Sequence, residues 1–356
     1  MMKKLLKDPL RADPTGKLAR RLAGANAKTH MVLPQPLLDR LRQAAPDGAW
    51  SGATSLDTPL AHHKRRVIVH SPEDERGLIE RTQAAWPDVE VWGLLHHVLP
   101  GWLTGHLRAP PPSVVPALPD CRFAVVCAPR AGSTYLCELL AAVGVGDAQE
   151  HLREPLVNAL RTPGVDHAAM LRRIVGLGQV RGVFGTKLIG HFLFDVAGQA
   201  LAGAALSRLA EEGFRFLALR RDPVDQAVSN YVAMASGVWH QHGAVAAEAA
   251  QSLAAVPFDP NKLLKFYRAG LEEAQLLARA LSAVPPELVL TLDHDDLGRH
   301  PLTLVDRVCK HLGCNARVEA DLSQLPVSLA AAVPAMGAMS ARLRGLLAAS
   351  ELPAGA

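Results

Sequence analysis

Four short segments bring together residue types that can do anion chemistry. Ala128-Pro129-Arg130-Ala131-Gly132-Ser133-Thr134 joins small residues, two hydroxyls and a guanidinium where an apolar run gives way to a helical pattern. A loop of this kind at a helix N-terminus aims several backbone N–H groups at one point and adds the positive end of the helix dipole, so it can cradle a phosphate. No Gly-Lys pair precedes its hydroxyls, so it is not the loop of nucleoside triphosphatases, and an ordinary strand–turn–helix corner would read the same way. Arg220-Arg221-Asp222-Pro223 ends a second apolar run in paired guanidiniums, with Ser229 two helical turns further on. Such a pair suits bidentate grip of a phosphate dianion, although salt bridges to nearby carboxylates would also explain it. Phe184-Gly185-Thr186-Lys187-Leu188 carries the only lysine between Lys64 and Lys262, a compact point charge in a chain that otherwise prefers arginine. Gln149-Glu150 offers a carboxylate which, beside an anion site, makes sense as a general base rather than as a binder.

These segments need a scaffold that gathers them. Short apolar runs at 123–127, 183–188, 214–219 and 288–292 read as strands alternating with helices. The helices begin near Tyr135, at Asp222-Pro223, at Asp259-Pro260 and at Pro301, and Gly144 and Gly313 stop two of them. That alternation predicts an α/β fold with a parallel sheet covered on both faces. Upstream, 66–70 and 89–94 read as parallel strands around a helix capped by Ser71-Pro72 and ending near Trp86. The first sixty residues are expected to be largely irregular. Prolines between 110 and 119 mark the best boundary. The chain therefore divides into an amino-terminal α/β extension (1–108), a proline-rich linker (109–120) and a carboxy-terminal domain (121–356).

Composition narrows the function. The chain has 356 residues, 49% hydrophobic and 20% charged, which excludes a disordered or collagen-like protein. A net charge of +4 is too small for general nucleic-acid binding but leaves room for a local anion site. Five cysteines (Cys121, Cys127, Cys137, Cys309, Cys314) lack zinc-ribbon spacing and read as reduced core thiols of a cytoplasmic protein. The histidine pairs His62-His63 and His96-His97, and His240 with His242, find no third ligand at metal-site spacing, so no metal is expected. No signal peptide or transmembrane segment is expected either; the Ala-rich stretches at 196–206 and 329–339 are too polar or broken.

Taken together, Pro129 to Thr134, Gln149-Glu150, Gly185-Thr186-Lys187-Leu188, Arg220 to Ser229 and Gly237-Val238-Trp239-His240 stand in the order found in bacterial sulfotransferases similar to trehalose 2-sulfotransferase. The resemblance covers about residues 121–315. It implies a P-loop-like three-layer α/β sandwich and the donor 3′-phosphoadenosine 5′-phosphosulfate, with no metal. By the same resemblance, Pro129, Arg130, Ala131, Gly132, Ser133 and Thr134 hold the phosphosulfate. Arg220 or Arg221, with Ser229, clamps the 3′-phosphate. Glu150 is the catalytic base, and Lys187 and Arg130 act near the transferring group. The acceptor would be a hydroxyl on a small molecule, carbohydrate or glycolipid, and a homo-oligomer is compatible with the sequence. Three departures stand out: Ala131 replaces a usual serine, the segment leading to Glu150 is about one residue short, and His151-Leu152 replaces an aromatic pair. Trehalose itself is therefore not implied. A nucleotide-dependent kinase and a non-catalytic nucleotide-binding module are the competing readings.

Overall fold

Runs of buried apolar residues build two parallel sheets in the computed structural model. It describes residues 22, 28–44, 50–58, 60–61, 64–71, 73–104, 114, 116–151, 165–238, 252–315 and 334–349. The elements along the first part of the chain are β1 (Thr29–Val32), α1 (Gln35–Ala44), β2 (Ser51–Ala53), β3 (Arg66–Val69), α2 (Glu75–Ala85), β4 (Glu90–Gly93), and a π-turn at Leu94–Val98 running into α3 (Leu99–Leu103). The second part contains β5 (Cys121–Cys127), α4 (Ser133–Ala142), α5 (His167–Gly178), β6 (Val183–Ile189), α6 (Gly190–Ala197), α7 (Ala202–Glu211), β7 (Phe214–Arg220) and α8 (Pro223–Ser236). It closes with α9 (Pro260–Leu281), β8 (Val289–Asp293), α10 (His294–Arg299), α11 (Pro301–Leu312) and α12 (Pro334–Ala349).

The chain separates into two compact units: Met1–Pro119 with His151–Gln179, and Asp120–Glu150 with Val180–Ala356. The expected carboxy-terminal domain at 121–356 thus gives up an internal segment to the first unit. Buried Met170 and Ile174 pack there, and polar contacts add to them. Asp166 N donates to His96 Nε2 at 2.9 Å, and Arg173 donates to the Val114 carbonyl at 3.1 Å. Half of the expected linker lies outside the described residues, as do His62-His63, His242 and the Trp239-His240 pair.

In the first unit the order is β2-β1-β3-β4, all parallel. Among the described residues before 60, the expectation of irregular structure gives way to β1, α1 and β2. Every residue of β1 is buried, but four residues are too few to display a period, and the strand owes its place to pairing with β2 and β3. The cap of α2 is also three residues later than expected. Asp74 accepts from Gly77 N, and Ser71 Oγ instead accepts from Asp74 N.

In the second unit the order is β6-β5-β7-β8, again all parallel. Phe123, Val125 and Cys127 of β5 face a core built with Leu136 and Leu140 of α4 and with Leu304 and Val308 of α11. The alternate residues Ala124 and Val126 are buried too, and α9 and α7 lie against β5 and β7 respectively. A strand buried on both faces is the signature of a sheet between helix layers, so this unit is a three-layer α/β sandwich. The chain leaves β5 toward β6 on one side and leaves β7 toward β8 on the other. The adjacent carboxyl ends of β5 and β7 are therefore the topological switch point, where open α/β sheets bind ligands.

Candidate active site

The loop after β5 lies at that switch point. Gly132 has φ 94, a left-handed conformation in which glycine carries no Cβ penalty. It also lies close to His294, since a Cβ there would come within 2.7 Å of that ring. Arg130 is left-handed as well, with φ 65, which costs an ordinary residue about 1–2 kcal/mol. Side chains from the β7–α8 junction hold it there. Gln226 Nε2 donates to the Pro129 carbonyl at 2.6 Å, Arg221 donates to the Arg130 carbonyl at 2.9 Å, and Arg130 Nε donates to Ser229 Oγ at 3.2 Å.

Asp222 fixes the start of α8, accepting from Val224 N and Asp225 N as the N-cap that the sequence led us to expect. Arg344 of α12 bridges Asp222 and Asp225 at 2.9 and 3.0 Å. Burial, and then the Arg221 charge, push the Arg130 guanidinium below its ordinary range. Burial does the same to Arg221, partly offset by Asp225, Asp222 and Asp295. Arg221 Nε is buried and makes no hydrogen bond. A buried guanidinium donor without an acceptor is costly, and an anion at this place would satisfy it.

On the other side of the loop the groups come from β6. Gly185 lets the segment before Glu150 lie over the strand, for a Cβ there would stand 2.9 Å from that of Ala148 and 2.6 Å from the Phe123 ring. The Thr186 hydroxyl and the Lys187 backbone N–H both donate to the Gln149 carbonyl, at 3.2 and 2.9 Å. This brings Glu150 beside Lys187. Lys187 Nζ lies 2.8 Å from Glu150 Oε1 and donates to Thr134 Oγ1 at 3.3 Å.

These groups share one cavity of about 620 Å³, lined by Pro129, Arg130, Gly132, Ser133 and Thr134 of the loop and by Glu150, Lys187, Arg221 and Ser229. Two expected site residues are not on its wall. Ala131 is packed into the core with Leu136, and Arg220 is exposed at the end of β7, in register with Asp293. Of the paired arginines, the second faces the cavity.

Several wall residues were missed by sequence reasoning. His294 follows β8 and therefore also stands at a carboxyl strand end, a signal that could have found it. Burial and the Arg221 charge lower its pKa below the usual value of 6.5, against an opposing pull from Asp295. Glu273 of α9 reaches in through the space left by Gly190 and accepts from His191 N at 2.7 Å. Phe192, Leu253, Phe266 and Met336 supply apolar wall; no short sequence motif announces them. Among the described residues, no group of three or more His, Cys, Asp or Glu is gathered to hold a metal.

A family model described as Stf0 sulphotransferase matches residues 122–331. Among solved structures, a sulfotransferase from Alicyclobacillus acidocaldarius is 21% identical, with a TM-score of 0.38, over 65% of this chain and 96% of its own. Sulfotransferase STF1 from Mycobacterium tuberculosis H37Rv is 17% identical, with a TM-score of 0.33, over 64% of this chain and 77% of its own. STF9 from Mycobacterium avium is 14% identical, with a TM-score of 0.36, over 77% of this chain and 76% of its own. No curated protein matches the chain.

Proposed function

The chain belongs to the Stf0 sulfotransferase family, and from that membership we propose that it moves a sulfuryl group from 3′-phosphoadenosine 5′-phosphosulfate to a hydroxyl of a carbohydrate or glycolipid. The observation that carries this reading is the division of charge around one loop. Arg130, Arg221 and Ser229 meet on the β7 side, and Lys187 meets Thr134 and Glu150 on the β6 side. A donor with phosphate at one end and phosphosulfate at the other needs two anion sites flanking its nucleoside, and this division supports that match.

In this reading Pro129 to Thr134 surround the phosphosulfate, with backbone N–H groups at the start of α4 and the hydroxyls of Ser133 and Thr134. Arg221 is the stronger choice over Arg220 for the 3′-phosphate because it lines the cavity. Sulfuryl transfer, like phosphoryl transfer, depends on in-line positioning and charge stabilisation more than on covalent help from the protein. Lys187 holds positive charge where the leaving phosphate gathers negative charge. Glu150 takes the acceptor's hydroxyl proton on its carboxylate. Lys187 pairs with Glu150 before substrates arrive and so holds the carboxylate in place beside the loop, where it can reach the acceptor's hydroxyl.

A cavity wall that mixes Glu273 and Asn230 with Leu253 and Phe266 suits an acceptor bearing both hydroxyls and apolar surface. Among the described residues no helix is long and apolar enough to cross a membrane. All five cysteines are free thiols.

Calorimetric titration of adenosine 3′,5′-bisphosphate tests the donor assignment directly. Micromolar or tighter binding without a divalent cation is expected. Preference for ATP with Mg²⁺ would favour a kinase instead. Binding with no acceptor-dependent loss of sulfate from the donor would favour a module without turnover.

A further inference from the structure

Three of the five cysteines converge far from the cavity, at the end of the second sheet opposite the loop. Cys121 is the first residue of β5, Cys309 lies in the last turn of α11, and Cys314 follows the Gly313 cap of that helix. Gly313 has φ 69, and this left-handed turn lets Cys314 N donate to the Cys309 carbonyl at 3.1 Å. Cys314 is thereby folded back onto β5. Its thiol lies beside those of Cys121 and Cys309, and Cys121 Sγ lies 3.9 Å from the Leu312 carbonyl. Cys121 and Cys314 are both partly exposed, whereas Cys127, Cys137 and Cys309 are buried.

We propose that Cys121 and Cys314 form an oxidisable thiol pair, a modification site that hydrogen peroxide converts to a disulfide. The Cys121 thiolate attacks one peroxide oxygen; the O–O bond breaks, the sulfur becomes sulfenic acid, and hydroxide leaves to be protonated to water. Cys314 sulfur then attacks the sulfenic sulfur. The S–S bond forms, the S–O bond breaks, and a second water carries off the oxygen and the thiol proton. Two thiols are oxidised and one peroxide is reduced to two waters.

The environment selects Cys121 as the attacking group. The Cys314 thiol and the nearby Arg215 and Arg122 guanidiniums hold its thiol below the ordinary range, against an opposing effect of burial. The two cysteines nearest the loop are protected. Burial pushes Cys127 up to about 11 and Cys137 up to about 12, so neither offers a thiolate near neutral pH. The bridge would tie the first strand of the second sheet to the end of α11, across most of that unit's sequence, and so restrict its unfolded chain. The proposal requires nothing of the donor assignment.

The test exposes the full chain to stoichiometric hydrogen peroxide, alkylates the remaining thiols and maps peptides by mass spectrometry without reduction. The expected product has lost two hydrogens, contains a Cys121–Cys314 peptide and melts several degrees higher, an increase that dithiothreitol reverses. In Cys314→Ser the reaction should stop at a sulfenic acid on Cys121, trapped by dimedone, while Cys309→Ser should still form the bridge. Because the wild-type map stands alone, a variant that misfolds does not rescue the idea. A Cys309–Cys314 link, oxidation spread equally over Cys127 and Cys137, or a wild-type chain that keeps all its thiols under peroxide would each overturn it.

Discussion

Both units place charged side chains at the carboxyl ends of a four-stranded parallel sheet, and they use them in opposite ways. In the first unit the charge is Glu75, fully buried, and its carboxylate is surrounded. It accepts from Leu95 N at 2.8 Å and from His96 N at 3.0 Å, and it meets the Nδ1 atoms of His70 and His96 at 2.6 and 2.9 Å. Gly93 leaves the space for it, because a Cβ there would stand 2.6 Å from its oxygen. Burial alone would raise this carboxyl, but hydrogen bonds and charge from the two histidines bring it down to about 2. In the second unit the guanidiniums and the ammonium border an open cavity, and Arg221 Nε is left without an acceptor. The same corner of the same kind of sheet can thus hold a structural network or a ligand site. The Glu75 carboxylate is fully partnered by the protein, although His70 Nε2 beside it is not, whereas the Arg221 guanidinium keeps a buried donor free at the wall of a cavity.

If that distinction is right, substitutions in the second unit should cost function with little stability, and those around Glu75 the reverse. The largest effect is expected for Glu150→Gln, which should lower turnover by about 10²–10⁴ while the affinity for adenosine 3′,5′-bisphosphate stays near wild type. Steady-state kinetics beside calorimetry will read both. Near-normal turnover, with His151→Ala inactive yet folded and able to bind, would hand the role of base to the histidine.

Next comes Glu75→Ala, which strands two buried histidines and two backbone donors and should cost about 3–5 kcal/mol by denaturant titration. Nucleotide binding by the folded fraction should survive; its selective loss would show that Glu75 belongs to a site. The depressed carboxyl also fixes the sign of a pH effect. Its stabilisation is fully present above the unfolded value of 4.5 and is lost as pH falls toward about 2. The acid-unfolding curve of Glu75→Gln should lack that component.

A smaller contrast separates the paired arginines. Arg221→Ala and Arg130→Ala should each weaken bisphosphate binding about ten- to a hundredfold. Exposed Arg220→Ala should change it by no more than about twofold. Equal effects at 220 and 221 would mean that the cavity wall does not mark the clamp.

The smallest effect is expected at His294. A bound anion favours its protonated form, so nucleotide affinity should rise a few-fold as pH drops below about 6.5. His294→Phe should flatten that rise relative to wild type.

Much of this was legible along the chain because the relevant physics is local. The strands of the second sheet are continuous apolar runs, and Asp222-Pro223 and Asp259-Pro260 cap helices within three residues of themselves. The loop at 128–134 carries its own backbone donors and its own glycine turn. The first sheet was harder to read. Its β1 and β2 have four and three residues, and only pairing with distant strands makes them strands at all.

By itself, then, the sequence determined the strand order along the second unit, the parallel α/β class and the chemical character of the loop, Glu150, Lys187 and the arginine pair. These rest on side-chain type and on spacings of a few residues. The tertiary structure alone decided which arginine of the pair faces the cavity, that His294 and Glu273 border it, and that residues 151–179 join the first unit. It also decided that Cys121 meets Cys314 across the fold. Each of those depends on a strand end, a helix cap or a carbonyl many residues away, where register and packing in three dimensions, rather than neighbours in the chain, set the distance.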